Sequence, residues 1–341
     1  MRQSSREIVC RCLDFETPER IPFDIWTLPW AEEHLPECLK EVNSRFPGDI
    51  GGVNADIYNP SSISKGNPYQ QGTYIDDWGC VFENIHSGVI GEVRTPSLTD
   101  ISDWDKITPP YETLPTNLDK ARDAINRSCA ESDKFIKGGC CPRPWERLQF
   151  LRGSENAMMD IMMPEEGAGN LLKKIHDFYM KELEFWVSTD IDAIFFMDDW
   201  GAQNSLLISP YLWRELFKPL YLDYCDLARA NNKYIFMHSD GYISEIYPDI
   251  VELGVNALNS QIFCMDMGEL AKIAKGKMTF WGEIDRQHVL CSHDPEDGRK
   301  AVRQVAEKLY DPTGGVIAQF EIGPGAEHET VIAILEEWQE I

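Results

Sequence analysis

The chain has 341 residues, 43% of them hydrophobic, and its 57 acidic against 32 basic residues give a formal net charge of −25. A surface this acidic repels phosphate backbones and anionic lipids, because binding to either needs clusters of Lys and Arg. We therefore expect neither nucleic acid nor a membrane as a partner. The N-terminal segment has no apolar stretch followed by a cleavage site, and no later run approaches a membrane span. These features predict a soluble, cytoplasmic protein.

The ten cysteines are scattered through a long chain and lack the spacing of a zinc ribbon or a redox pair. We expect most of them to be reduced and buried. The first 130 residues carry clusters of Pro, Gly, Asn and Ser between short structured pieces, which indicates an irregular N-terminal elaboration. Two early strands are predicted within it, at 21–25 and 52–58.

From residue 131 to 341 the chain alternates short apolar runs with amphipathic stretches of helical spacing. The predicted strands are 134–140, 192–197, 234–237, 255–258, 278–281 and 316–320. The predicted helices are 154–162, 166–186, 209–230, 243–253, 267–274, 295–310 and 327–340. Ser209 and Asp294 each precede a proline and are expected to cap helices, whereas Gly254 and Gly276 are placed to end them.

Repeated strand and helix units predict a parallel sheet, and a count of about eight strands favours a closed (β/α)8 TIM barrel over an open, doubly wound sheet. We predict one barrel domain over 1–341, with the open sheet as the alternative. A G-x-G-x-x-G segment does not follow any early strand, so we expect no nucleotide cofactor.

Polar residues follow several predicted strands, at the end where a parallel barrel carries its active site. These residues are Asp198, Asp199, His238, Asp240, Asn259, Glu283, Asp285 and Glu321. A carboxylate in such a place also serves as a helix cap, and a histidine also serves as a buried, satisfied core residue. Those readings stay open for Asp198, Asp240, Asp285 and His238. The convergence of several strand ends favours a catalytic site.

A histidine with two or three carboxylates suits a divalent metal such as zinc, iron or manganese, and three protein ligands leave a position open for substrate. Without a metal, the same crowding raises the pKa of one carboxyl group and prepares a general acid beside His238. Aromatic residues near these strand ends either line a substrate pocket or belong to the core. They are Trp26, Trp30, Trp78, Trp200 and Trp281.

Several segments resemble the uroporphyrinogen decarboxylase superfamily, which includes that decarboxylase and methyltransferases of corrinoid-dependent methyl transfer. They are Pro18-Glu-Arg-Ile-Pro22, Asp76-Asp-Trp-Gly-Cys80, Gly91-Glu-Val93, Glu146-Arg147, Leu151-Arg-Gly-Ser-Glu-Asn156, Asp198-Asp-Trp-Gly201, Lys218-Pro219, His238-Ser-Asp-Gly241 and Phe280-Trp-Gly-Glu-Ile-Asp285. The resemblance covers most of the chain and implies a (β/α)8 barrel.

Within the superfamily, this chain differs from the decarboxylase itself. The decarboxylase carries an Arg-Gln-Ala-Gly-Arg segment in the region where this chain has Thr27-Leu-Pro-Trp30. The thiol-using methyltransferases carry His-x-Cys-Gly and a later cysteine. This chain is similar to them around His238 but has Asp240 and Glu321 at the two cysteine positions. Oxygen ligands leave a zinc ion a stronger Lewis acid than thiolates do. The resemblance therefore implies a methyltransferase that activates an ether or amine.

The first hypothesis is an O-demethylase type of methyltransferase, which moves a methyl group from a small, methoxylated aromatic donor to a separate corrinoid protein. His238 and Glu321 would bind the zinc ion, Glu283 would complete its ligands, and Asp240 would be either a further ligand or the group that orients the imidazole. His238, Asp199 and Glu283 would be catalytic, and the substrate would meet Trp26, Trp30, Trp200, Gln203 and Trp281.

A second hypothesis is a metal-free decarboxylase or lyase acting on a small carboxylate, with His238 and Asp199 as acid and base. A third is a small-molecule binding protein without chemistry. The sequence leaves a homodimer open.

Overall fold

The computed structural model describes residues 2–163 and 166–341. The strands are β1 (Phe23–Thr27), β2 (Ile50–Gly52), β3 (Gly72–Ile75), β4 (Val81–Asn84), β5 (Glu92–Thr95), β6 (Phe135–Lys137), β7 (Ala193–Met197), β8 (Tyr234–Ser239), β9 (Ala257–Ser260), β10 (Thr279–Trp281) and β11 (Val316–Ile322). The helices are α1 (Ser5–Leu13), α2 (Pro29–His34), α3 (Pro36–Arg45), α4 (Leu118–Ala130), α5 (Pro144–Arg152), α6 (Ser154–Met162), α7 (Glu166–Val187), α8 (Pro210–Leu216), α9 (Lys218–Ala230), α10 (Tyr247–Glu252), α11 (Met267–Ala274), α12 (Pro295–Leu309) and α13 (His328–Glu340).

Eight parallel strands form a nearly closed barrel in the order β1-β11-β10-β9-β8-β7-β6-β2. Between its two end strands, the backbone N–H of Asp49 donates to the carbonyl of Phe23 at 2.8 Å. The Asp49 carboxylate in turn accepts from the Phe23 N–H at 2.8 Å. Helices alternate with the strands along the chain, so the predicted (β/α)8 barrel is confirmed.

The interior of the barrel changes character along its axis, because alternate residues of each strand face inward. The lower part is apolar: α1 contributes Val9 and Cys12, which pack with Phe135, Phe236 and Ile317. Towards the C-terminal ends of the strands the buried inward residues become polar. They include Asp24, His238, Asn259, Glu283 and Gln319. This gradient gives the barrel a closed floor and a chemically active mouth.

Most predicted elements are present, and the capping predictions are confirmed. The Ser209 hydroxyl accepts from the N–H of Leu212 at 3.2 Å, and the Asp294 carboxylate accepts from the N–H of Glu296 at 3.0 Å. Gly254 and Gly276 have φ values of 76° and 74°, the left-handed conformation that ends helices.

Three predicted boundaries are wrong. The predicted strand 52–58 is displaced, since β2 ends at Gly52. The predicted helix 209–230 is two helices that meet at Phe217, with Pro219 in the first turn of α9. The predicted helix 243–253 starts only at Tyr247, because Pro248 has no N–H to continue a preceding turn.

The N-terminal elaboration contains an antiparallel sheet that the sequence did not predict, in the order β3-β4-β5. It also carries the 3₁₀ helices Ile101–Lys106 and Tyr111–Thr113, while a third, Ile262–Cys264, follows β9. None of the described helices combines the length and the apolar character that crossing a bilayer requires.

Candidate active site

Three side chains from neighbouring strand ends meet at the mouth of the barrel. The Nε2 atom of His238 lies 3.5 Å from Oδ1 of Asp199 and 3.6 Å from Oδ1 of Asp240. His238 belongs to β8, Asp240 follows it in the chain, and Asp199 follows the adjacent strand β7. We call Asp199, His238 and Asp240 the mouth triad. One ligand atom from each lies within 4.8 Å of the other two, a grouping able to hold a metal ion.

The orientation of the His238 ring is fixed from its other nitrogen. The Nδ1 atom lies 2.5 Å from Oδ1 of Asn259, which occupies the paired position on β9. Asn259 donates through Nδ2 to the carbonyl of Trp281 and, at 2.7 Å, to Oε1 of Gln319. Because the Asn259 amide is committed as a donor on that side, its oxygen accepts from Nδ1–H of His238. The Nε2 atom is thereby directed at the two carboxylates.

Two glycines bring the carboxylates of the triad together. Gly201 follows β7 and Gly241 follows β8, and a Cβ atom on Gly201 would lie 2.3 Å from the backbone nitrogen of Tyr242. A Cβ atom on Gly241 would lie 2.3 Å from the carbonyl oxygen of Gly201. The two loops therefore pack backbone against backbone, with the Gly201 N–H donating to the Asp240 carbonyl at 3.0 Å. This close approach explains why both acidic segments end in glycine.

The charges of the triad stabilise one another. Burial alone would lower the pKa of His238, but the carboxylates of Asp199 and Asp240 outweigh burial and raise that pKa to about 9. Burial raises the pKa of the Asp199 carboxyl, but the His238 ring outweighs it and the net pKa lies below its ordinary value. Without a metal, the structure therefore favours an imidazolium between two carboxylates.

Glu283 and Glu321, the other two carboxylates of the predicted metal set, contact a guanidinium. Arg286 Nη1 lies 2.8 Å from Oε1 of Glu321, and its Nε atom lies 3.6 Å from Oε1 of Glu283. The Nη2 atom of the same arginine contacts Oδ2 of Asp240. Burial raises the pKa of Glu283 to about 7 despite Arg286. Asp240 is therefore shared between the triad and this arginine cluster.

The predicted aromatic residues occupy different environments. The half-buried Trp26 lies beside His238, with ring centroids 5.6 Å apart, and contacts Trp281 edge to face at 5.2 Å. Trp281 is fully buried, and the ammonium of Lys137 lies 4.3 Å from its ring centroid. Lys137 thus fills space beside both tryptophans and lies 3.7 Å from Asp24.

Trp200 is fully buried and packs outside the barrel, stacked on Trp145 at 5.4 Å and donating through Nε1 to Tyr221. Its side chain offers no surface to a ligand here. Trp30 stacks on His34 at 4.3 Å and lines a separate cavity of about 480 Å³. Gln203 lines a small cavity of about 80 Å³ together with Glu283 and Arg286.

Two acids, Asp198 and Asp285, accept hydrogen bonds from backbone N–H groups, as the capping alternative predicted. Asp198 is fully buried and accepts from the N–H groups of Trp145 and Glu146, at the start of α5, and from the hydroxyl of Tyr221. Asp285 accepts from the N–H groups of Gln287 and His288. Both carboxylates hold loops at the mouth and leave the triad to Asp199 and Asp240.

Sequence reasoning missed the basic residues at the mouth. Arg286 and Lys137 contact carboxylates on or directly after other strands, so spacing along the chain does not reveal them. The carboxylate nearest to Arg143 is that of Glu146, three residues later in the chain. The available signal is the acidic segment itself, because buried carboxylates need cationic partners. Glu146, near Asp199 and His238, was noticed only as part of a motif. Burial raises its pKa to about 7, with Arg143 opposing the shift.

The triad fits a zinc ion by its donors and their spacing. A tetrahedral ion with ligands at about 2.0–2.2 Å separates its ligand atoms by roughly 3.4 Å, close to the 3.5 and 3.6 Å measured from His238 Nε2. Oδ1 of Asp240 is buried and has no hydrogen-bond partner among the described residues. A buried carboxylate oxygen without a hydrogen bond is costly, and either the His238 imidazolium 3.6 Å away or a bound cation offsets that cost.

Comparisons with known proteins agree with this fold. A methyltransferase from Methanosarcina mazei superposes over 99% of each chain with a TM-score of 0.68 at 13% sequence identity. A putative vitamin-B12 independent methionine synthase from Listeria monocytogenes matches over 67% of this chain and 68% of its own, with a TM-score of 0.41 and 12% identity. A glycosylated endo-β-1,4-xylanase from Gloeophyllum trabeum matches over 64% of this chain and 80% of its own, with a TM-score of 0.40 and 10% identity. At 13% identity the first similarity shows the fold alone, and the last two, with TM-scores below 0.5, carry no argument.

No curated protein matches the chain by sequence. The uroporphyrinogen decarboxylase (URO-D) family profile matches residues 77–341. This range includes the whole mouth triad and the neighbouring Glu283, Arg286 and Glu321. The chain therefore belongs to the uroporphyrinogen decarboxylase (URO-D) family.

Proposed function

We propose that this chain is a methyltransferase that takes a methyl group from a small methylated donor, such as a methoxylated aromatic compound, and passes it to the cobalt of a separate corrinoid protein. The observation that carries the proposal is the mouth triad, with one imidazole nitrogen and two carboxylate oxygens at metal-ligand spacing. The overall likeness to a methyltransferase is consistent with it.

Zinc is the ion we propose, held by His238 Nε2, Asp199 Oδ1 and Asp240 Oδ1. When bound to such oxygen-rich ligands it supplies Lewis acidity, which weakens the bond between a methyl group and the donor's oxygen or nitrogen. Asn259 holds the imidazole so that Nε2 points into the site. The alternative ligands Glu283 and Glu321 are reached only if Arg286 moves away from them.

Removing a methyl group from an ether leaves an alkoxide or phenoxide that needs a proton. Glu283 lies at the mouth, is almost fully buried, and has a pKa raised to about 7. A carboxyl group with this pKa is half protonated near neutral pH and suits general acid catalysis. We assign Glu283 the role of giving a proton to the leaving oxygen. Trp26 and Gln203 remain the proposed substrate contacts.

A metal-free decarboxylase or lyase is the second candidate function. One observation favours it: the pKa of His238 is raised between Asp199 and Asp240, so the imidazole is protonated when no metal ion is bound. In that case the His238 imidazolium would protonate the carbanion left by loss of CO2 from a small carboxylate. Asp199 would hold the ring in place.

Stripping and restoring the metal separates the two functions. The protein is treated with dipicolinate, assayed for transfer of the methyl group of 3-methoxybenzoate to cob(I)alamin, and assayed again after addition of Zn²⁺. The proposal predicts loss and recovery of methylcobalamin formation, with one zinc bound per chain. CO2 release that is unaffected by the chelator would support the second candidate instead.

A further inference from the structure

A polar cleft of about 430 Å³ lies between the N-terminal elaboration, the loop after β6 and α7. Its aromatic lining includes Tyr58, Trp78 and Tyr179. Its charged lining comprises Asp77, Arg143, Arg147 and Glu182. A cleft with aromatic walls and a few charged groups is typical of small-molecule sites.

The cleft adjoins the triad through the loop that carries Arg143. The N–H of Met197, two residues before Asp199, donates to the carbonyl of Pro142 at 3.0 Å. Arg143 follows Pro142 directly in the chain. A ligand held by Arg143 would therefore extend towards the triad.

Arg143 differs from the other arginines at the mouth in that no carboxylate oxygen among the described residues lies within hydrogen-bond distance of it. Arg147 contacts the carboxylate of Asp76, and Arg286 contacts carboxylates on both sides. Arg143 instead donates through Nη2 to the thiol of Cys141 at 3.3 Å, and its nearest carboxylate oxygen, on Glu146, is 3.9 Å from Nη1. Its side chain is 29% exposed to the cleft. A guanidinium has five N–H donors, so most of them are available to a ligand.

Burial raises the pKa of both other acids that line the cleft, Asp77 and Glu182. Burial raises the pKa of Glu182 to about 7, and its Oε1 atom accepts from the hydroxyl of Tyr58 at 2.7 Å. Planar guanidinium groups bind carboxylates through two parallel hydrogen bonds.

We propose that Arg143 and the aromatic walls of this cleft form a subsite for the carboxylate of an aromatic acid, which makes the substrate a methoxylated aromatic acid rather than a neutral ether. The substrate class rests on the proposed methyl transfer, whereas the carboxylate subsite is tested by binding alone.

The test compares 3-methoxybenzoate with the uncharged 3-methoxybenzamide by calorimetry at pH 7, in the wild-type protein and in Arg143→Met. We expect the benzoate to bind at least about tenfold more tightly than the amide, as for one charge-assisted pair. The variant should lose this preference and leave amide binding unchanged. Arg122→Met is the matched control, since Arg122 lines another cavity and pairs with Asp119.

Equal affinities in the wild-type protein, or a preference that survives in Arg143→Met, would overturn the subsite. If Arg143→Met does not fold, Arg143→Lys takes its place and should show a reduced preference, and the wild-type comparison still decides. Carboxylate preference without any methyl transfer would leave the subsite standing and remove the proposed function. Equal rates of methyl transfer from the acid and the amide would support the proposed function and remove the subsite.

Discussion

The Nδ1 atom of His238 lies 2.5 Å from Oδ1 of Asn259, on paired positions of adjacent strands. This contact leaves Nε2 free for the triad. We expect Asn259→Ala to weaken zinc binding about 10- to 100-fold, the usual effect of removing the group that orients a ligating histidine. Zinc competition with a chelating dye measures the change.

The matched control is Asn256→Ala. Asn256 lies three residues earlier, and its oxygen accepts from the N–H of Ile235, far from the triad along β8. This variant should lose some stability but keep its zinc affinity. An equal loss of zinc binding in both variants would show that the effect of Asn259→Ala is general destabilisation.

Asp240→Asn and Glu321→Gln decide which carboxylates hold the ion. Removal of a zinc ligand should weaken binding more than removal of Asn259, which only orients His238. Asp240→Asn should therefore lose roughly 100-fold or more in zinc affinity. Glu321→Gln, which weakens only a largely buried contact with Arg286, should bind zinc nearly as the wild-type protein does. Zinc content after dialysis reads out both variants. The opposite ranking would support Glu321 as the ligand.

Gly241→Ala should separate the two loops that carry Asp199 and Asp240. Its Cβ atom would meet the backbone of Gly201 at 2.3 Å, so we expect a loss of about 1–3 kcal/mol in unfolding free energy and weaker zinc binding. Gly276→Ala is the control, because Gly276 has a similar positive φ but no atom within 4 Å of the new Cβ. If both variants behave alike, backbone strain and not the close approach sets the cost.

Glu182 should make the stability of the fold depend on pH. Burial raises its pKa from the ordinary value of 4.5 to about 7 in the folded chain, so its contribution to stability is complete below the unfolded pKa and is lost as pH rises through about 7. The unfolding free energy of the wild-type protein should therefore fall by on the order of 2 kcal/mol between pH 4.5 and pH 7.5. We expect this fall to be absent in Glu182→Gln. Urea unfolding at several pH values measures this, and an unchanged slope would contradict it.

The barrel was predictable because its strands and helices have clear periods. The runs that became β7, β8 and β11 are short, apolar and followed by polar residues, which is the pattern of buried parallel strands. The antiparallel sheet β3-β4-β5 was missed because its first and last strands are largely exposed and lack alternating apolar residues. Pro219 and Pro248 were the overlooked signals at the two misplaced helix boundaries.

The candidate site was predictable only in part. The strand-end rule points to Asp199, which follows the apolar strand β7, and to His238 and Asp240 at the end of β8. It does not reveal that Arg286 lies between Asp240 and Glu321, since these contacts join the C-terminal ends of three different strands. The burial of Trp200 was likewise decided by α8 and α9, whose Trp213 and Phe217 enclose it.

The most direct test of the central claim is a crystal structure of the zinc-loaded protein with anomalous data at the zinc edge. Our account predicts one ion at about 2.0–2.2 Å from His238 Nε2, Asp199 Oδ1 and Asp240 Oδ1, with Arg286 still in contact with Glu321. An ion bound by Glu283 and Glu321, or an active protein without an ion at the mouth, would contradict it.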